Sequence, residues 1–358
     1  MSNIEIRLAA DTEYERINAL FNKAYDNKRP YKNFEWEFIK GPAGKAIYII
    51  AVDTDKDHII GTQSAIPIYW SGPNGEQILT AKSEDTYVDP TYRGMKLFDR
   101  MYQLLFTECS KAGIQAIWGF TYALKPFRAV GFDIPYSQIQ GLYVLDTLQS
   151  YRYLSSLNPA NKTIDKIKIA GASVLSRFRA LVFSSSSQYF KVEEAIVSDK
   201  NIKFSKDKWQ HGYYTIRQDN IYTQWRLVDN PYQNHYSELT FLDASDQPFL
   251  NILINIRSNG VGYVEQLIIR DDCPDSDIKK AVSQALKIMK DKGASLIRFW
   301  GFTYDHKVLQ EVKILKQCGF TFTNRGTGFV WFDFNKDNAN KIDPLKILLS
   351  RIYTQGNN

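Results

Sequence analysis

Three cysteines in 358 residues, Cys109, Cys273 and Cys318, exclude a disulfide framework and a thiolate metal centre. The four histidines, His58, His211, His235 and His306, are scattered without ligand spacing, so no metal is expected. There is no G-x-S-x-G elbow and no G-x-x-x-x-G-K-[ST] loop, which removes the common serine-hydrolase and P-loop readings. No run approaches the roughly 18 apolar residues of a membrane span. Met1 to Ala10 carries no apolar signal segment. The expected setting is a reducing cytoplasm, with no transmembrane segment. The net charge of +6 is not gathered into a basic block, so no nucleic-acid partner is expected.

The chain is 44% hydrophobic and 14% aromatic, ample for two packed cores. Ile4, Ile6 and Leu8 alternate with polar residues and predict a strand. Thr12 and Glu15 form a capping-box pattern ahead of a helix through Tyr25. Strands are predicted at about Ile47–Asp53 and His58–Trp70, then from Leu79 to Val88. A helix follows with Leu97, Met101, Leu104, Leu105 and Cys109 on one stripe, which makes Cys109 a core residue. A strand at Ile117–Thr121 and a short helix at Pro126–Val130 complete this half.

The chain contains an internal repeat. Trp118-Gly119-Phe120-Thr121-Tyr122 recurs as Trp300-Gly301-Phe302-Thr303-Tyr304, an offset of 182. Trp36 precedes Pro42 as Trp225 precedes Pro231, and Gly141 precedes Asp146 as Gly328 precedes Asp333, with offsets of 189 and 187. Two copies of one fold are therefore expected: residues 1–146, then a helical linker 147–201, a second copy 202–335, and a helix or tail 336–358. In the linker Ile164, Ile167, Val174, Leu175, Phe178, Leu181 and Val182 recur at helical spacing among Lys162, Lys166, Lys168, Arg177 and Arg179. This basic amphipathic helix is expected to pack between the domains, with membrane-surface contact as the alternative. Pro344–Tyr353 reads as another short amphipathic helix.

The stretch from Ser83 to Phe98 organises the first copy. It reads as a strand end, a tight turn at Arg93-Gly94 and a helix start. Such a turn leaves backbone N–H groups unpaired at the positive end of a helix, and Arg93 adds a fixed charge. A pyrophosphate fits that geometry. The stretch resembles motif A of the GNAT (GCN5-related N-acetyltransferase) acyltransferases, usually V-x-P-x-x-R-G-x-G-x-G. Val88, Pro90, Arg93 and Gly94 match, while Lys96 and Phe98 stand where glycines are usual.

The resemblance runs from about Ile4 to Asp333 and implies an α/β (α+β) fold of two tandem GNAT-like domains, each a mixed, mostly antiparallel sheet flanked by helices. It implies an N-acyltransferase using acetyl-CoA or another acyl-CoA and a small-molecule amine. In layout the chain is similar to sugar N-acyltransferases acting on nucleotide-linked amino sugars. The alternatives are an aminoglycoside or aminoacyl-type transferase, or a non-catalytic ligand- or partner-binding protein. Tyr87, Val88, Arg93, Gly94, Met95, Lys96, Leu97 and Phe98 would hold the cofactor. Glu84 or Asp85 would be the base, and strand alternation sets them on opposite faces. Phe127 stands where family members often have a tyrosine acid, so Tyr122 is the substitute. In the second copy the turn is replaced by Asp271, Asp272, Asp275 and Asp277, carboxylates that would repel a phosphate, so one cofactor site is expected.

Overall fold

The computed structural model describes residues 3–157, 163–183, 189–197, 212–232, 235–270, 272–304, 307–308, 310–324, 326–337 and 341–353. In chain order the strands are β1 Ile4–Leu8, β2 Ile47–Asp53, β3 His58–Ser71, β4 Gln77–Val88, β5 Ala116–Thr121, β6 Asp133–Val144, β7 Lys191–Ile196, β8 Thr215–Ile216, β9 Tyr236–Leu242, β10 Pro248–Ile256, β11 Val261–Ile269, β12 Leu296–Tyr304, β13 Lys307–Val308, β14 Thr321–Thr323 and β15 Gly328–Asp333. The helices are α1 Tyr14–Ala24, α2 Tyr31–Phe34, α3 Leu97–Lys111, α4 Leu124–Ala129, α5 Thr147–Ser156, α6 Thr163–Phe183, α7 Asn220–Thr223, α8 Asp275–Asp291 and α9 Gln310–Gln317. A π-helical turn extends α2 over Glu35–Ile39, and another extends α7 over Gln224–Val228.

Two compact units result, and neither is one continuous stretch. The first holds residues Met1–Pro135, His211–Tyr232 and Thr327–Leu348; the second holds Tyr136–Gln210, Gln233–Gly326 and Leu349–Asn358. In the first, β1 to β4 pair antiparallel in sequence order, β5 joins β4 in parallel, and β15 joins β5 antiparallel. The parallel step is bridged by α3, whose Leu97, Met101, Tyr102, Leu105 and Cys109 enter the core with Ile49, Ile60, Ile117 and Val330. In the second, β7, β9, β10 and β11 pair antiparallel, β12 joins β11 in parallel, and β6 joins β12 antiparallel. Here α8 bridges the parallel step and buries Ile278, Val282, Ala285 and Met289.

The internal repeat thus becomes the same mixed, mostly antiparallel order in both units, with the closing strands exchanged. Gly141 lies on β6 and Gly328 on β15, so each copy's last strand lies in the unit built on the other copy's sheet. The Trp36 and Trp225 segments of the repeat meet inside the first unit. Their rings stack at 4.7 Å and 14°. Each indole N–H donates to the other's backbone carbonyl, at 2.9 and 3.0 Å, so the pair forms a local two-fold.

Two expectations about helices are corrected. Pro344–Tyr353 is no helix: it forms two single 3₁₀ turns, Pro344–Lys346 and Arg351–Tyr353, joined by extended chain. Leu348, Leu349, Ile352 and Tyr353 are buried, and the buried Arg351 guanidinium is paired with Glu265 and lies 3.8 Å over the Tyr263 ring. Tertiary burial here overrides the local helical spacing. The second correction concerns α6. Its apolar stripe stays exposed, and its small side chains are the ones that are buried. Ser173, Ser176 and Ala180 are buried, whereas Ile164, Ile167, Val174, Leu175, Phe178, Leu181 and Val182 are all exposed. The expected Lys162 lies outside the described residues.

Candidate functional site

The site candidates gather along the second half of β4. The strand pairs with β5 only at Thr80–Ala116, Ala81–Ile117 and Lys82–Trp118, and beyond that register no pairing continues. On its other side β4 stays with β3, but the register slips. Thr62 faces Tyr87 and Ser64 faces Glu84, so Asp85 and Thr86 together oppose Gln63. This is a β-bulge, and Asp85 carries its strain with a left-handed φ of 49°. Strict alternation therefore fails here, and the expected opposite-face placement of Glu84 and Asp85 gives way to a bulge geometry. A buried network fixes it: Thr86 Oγ1 donates to Gln63, Gln63 Nε2 donates to Ser83 Oγ, and Ser83 Oγ meets the Tyr102 hydroxyl of α3 at 2.8 Å.

The two carboxylates have different surroundings. Both oxygens of Asp85 are held by the Arg29 guanidinium, at 3.1 and 2.7 Å, and Oδ2 also accepts from the Tyr48 hydroxyl at 2.9 Å. Arg29 is itself buried, bonds Asn18 at 2.8 Å and stacks 3.9 Å over Phe21. Glu84 shares a strand face with Lys82, whose buried ammonium lies 2.5 Å from Oε1. The Glu84 side chain keeps 23% exposure, so of the two it is the one open to a ligand.

A third carboxyl went unnoticed in the sequence. Glu37, in the π-helical turn after α2, is buried, and Arg29 reaches it only at 4.0 Å. Burial, then the Glu84 and Asp85 charges, push its carboxyl up to about 8. Three carboxyl groups thus face two cations, Arg29 and Lys82, and the cluster is charge-balanced when Glu37 keeps a proton. The signal in the sequence was a glutamate set directly between Trp36 and Phe38.

The turn from β4 to α3 follows at once. Asp89 caps the Pro90–Tyr92 turn by accepting from the Thr91 N–H at 2.8 Å. Tyr92 anchors it by donating to Asp53 at 2.5 Å while its hydroxyl accepts from Lys56 at 2.9 Å. Gly94 then takes φ 88°, and a side chain there would meet open space. Lys96 takes φ 54° at the N-cap of α3, which explains the glycine usual at this place. Among the described residues, no acceptor is found for the backbone N–H groups of Gly94, Lys96, Leu97 and Phe98. Arg93, Met95 and Lys96 are exposed beside them. Leu97 is buried and Phe98 packs on Tyr102 and Phe127, so these two offer backbone only. Val88 ends β4 opposite Gly61, and Tyr87 lies edge-on to Tyr25.

Tyr122 follows β5 with 75% exposure. Phe127 is buried against Tyr102 and Phe132, a core residue with no proton to give. In the second unit the helix corresponding to α3 begins differently. The first turn of α8 carries Asp275 and Asp277, Asp277 pairs with Lys280 at 3.1 Å, and Arg270 is bound by Asp243 and Asp272. Asp271 lies outside the described residues.

Residues 5–134 match the family described as acetyltransferase (GNAT) domain. No curated protein sequence matches the chain. Among solved structures it is similar to a conserved protein of unknown function and probable N-acyltransferase from Enterococcus faecalis V583, with TM-score 0.63, 10% identity, and coverage of 93% of this chain and 73% of that one. It is also similar to Saccharomyces cerevisiae N-myristoyltransferase with bound myristoyl-CoA, with TM-score 0.57, 12% identity, and coverage of 93% and 78%. A GCN5-related N-acetyltransferase from Anabaena variabilis ATCC 29413 gives TM-score 0.58, 10% identity, and coverage of 92% and 72%. At such identities these likenesses establish the fold. Residues 5–134 are thus similar to an acetyltransferase (GNAT) domain, and most of the chain shares the fold of these solved structures.

Proposed function

We propose that this protein is an acyl-CoA-dependent N-acyltransferase that moves an acetyl or other short acyl group to a primary amine of a small molecule. The carrying observation is the set of backbone N–H groups of Gly94, Lys96, Leu97 and Phe98, without an acceptor among the described residues, at the head of a 15-residue helix and beside Arg93. A pyrophosphate is the chemistry such a cradle holds. The myristoyl-CoA bound in the yeast neighbour supports a thioester donor. The parting of β4 from β5 after Lys82 supports a slot for the pantetheine arm along Tyr87 and Val88. The amine nitrogen attacks the thioester carbonyl, the C–N bond forms and the C–S bond breaks. Glu84 takes the amine proton, and Tyr122, exposed beyond β5, returns one to the leaving thiolate. The acidic first turn of α8 supports one donor site per chain, in the first copy of a tandem pair. A nucleotide-linked amino sugar is the acceptor class suggested by the two-copy layout. The buried Phe127 favours a second reading, a GNAT fold that binds a ligand without chemistry. Thiol release from acyl-CoA with a panel of amines separates the two.

Arg93→Ala is expected to weaken acyl-CoA binding by about 1.5–3 kcal/mol, the scale of a charge-assisted hydrogen bond. Calorimetry checks it: an unchanged dissociation constant, or two equivalent sites per chain, counts against the cradle. Glu84→Gln is expected to lower turnover about 100-fold with little change in acyl-CoA affinity. Wild-type turnover in that variant moves the base elsewhere.

A further inference from the structure

We propose that the outward face of α6 is a docking surface for an anionic lipid bilayer. The helix is fixed to its unit by its narrow face. Ser176 donates to the Leu142 carbonyl at 3.3 Å, Tyr143 donates to the Ala180 carbonyl at 3.2 Å, and Arg179 donates to the Lys316 carbonyl at 3.2 Å. These contacts hold the helix so that its large side chains face away from the core; Ile167 and Phe178 are 65% and 63% exposed. At 3.6 residues per turn the apolar side chains from Ile164 to Val182 fall within an arc of about 120° opposite the buried serines, along about 27 Å of helix. Lys168 and Arg179 border that arc on one side, Lys166 and Arg177 on the other. Only one carboxylate, Asp165, lies on the helix, and Lys168 is 3.9 Å from it.

An apolar stripe with cations along both borders is the pattern of a helix lying in the plane of a membrane, its stripe among the acyl chains and its cations among anionic headgroups. A second copy fits worse. Two such stripes laid together would bring their basic borders into contact, like charge against like. The helix does not span: no described helix is long and apolar enough to cross a membrane.

Co-sedimentation of the full chain with lipid vesicles tests this. With about 30 mol % phosphatidylserine in phosphatidylcholine, binding is expected to be about tenfold stronger than with phosphatidylcholine alone, and to fall as salt rises. The double variant Leu175→Glu/Phe178→Glu is expected to lose about tenfold in vesicle binding. Lys166→Glu/Lys168→Glu is expected to lose the preference for phosphatidylserine. These side chains are exposed, and an unchanged melting temperature shows that the variants fold. Equal weak binding to both vesicle types overturns the proposal, as does binding that neither variant alters. So does a vesicle-free dimer, seen by light scattering, that Leu175→Glu/Phe178→Glu dissolves while the wild type ignores vesicles.

Discussion

Between about pH 5 and pH 8 the protein is expected to lose stability as pH rises, and Glu37→Gln to abolish most of that loss. The carboxyl of Glu37 is pushed up from its ordinary 4.5 to about 8 by burial and by its carboxylate neighbours. Below 4.5 both folded and unfolded chains hold the proton, so its contribution to stability is fully present. Above that, the unfolded chain releases the proton while the fold keeps it. The unfolded state then binds fewer protons, and stability falls by about 1.4 kcal/mol per pH unit until the folded group also ionises near 8. Glutamine matches the protonated acid in shape and never ionises. The variant is therefore expected to equal the wild type near pH 5 and to exceed it by about 3–5 kcal/mol near pH 9. Urea unfolding of both proteins across that range checks it. A difference that does not vary with pH means that Glu37 is ionised in the fold.

Asp85→Asn is expected to cost about 3–5 kcal/mol, since it leaves the buried Arg29 guanidinium without its charged partner. Asparagine tolerates the left-handed backbone at this position, so the loss reports the charge and not the bulge. Arg29→Gln/Asp85→Asn is expected to lose less than Asp85→Asn alone, because removing both charges leaves no uncompensated ion. A double-mutant cycle completed with Arg29→Gln, read by urea unfolding, decides; a loss in the double variant equal to the sum of the two single losses would mean that the pair is not coupled. This outcome also separates the neighbours on β4. Asp85, with three hydrogen bonds to buried donors, is the structural partner of Arg29, while the partly exposed Glu84 is the residue proposed as the base.

Much of the first half was legible from spacing alone. The alternation from Ile4 to Leu8 and the stripe from Leu97 to Cys109 each report one face of one element, the stretches Ile47–Asp53 and His58–Trp70 read as strands, and each element formed at that place. What was not legible depends on partners far away in sequence. The bulge at Asp85 is set by the register of β3 against β4, which no local pattern carries. The Arg29 guanidinium reaches Asp85 across 56 positions. In α6 the periodicity was read correctly but its polarity was not. A stripe of large apolar side chains predicts burial, yet the serine and alanine face makes the close approach to Leu142 and Tyr143. The pentapeptide repeat pointed to two copies of a fold, but sequence cannot show that each copy's closing strand lies beside the other's β-sheet.

That exchange has a consequence for vectorial synthesis. The edge of β5 has no neighbour until Gly328–Asp333 has emerged, more than two hundred residues after Thr121. At ribosomal speeds of about 5–20 residues per second the nascent chain carries an open, apolar strand edge for roughly 10–40 s. A holding chaperone over Trp118 and Phe120 during that interval would keep the unfinished half from pairing with its neighbours on the same polysome.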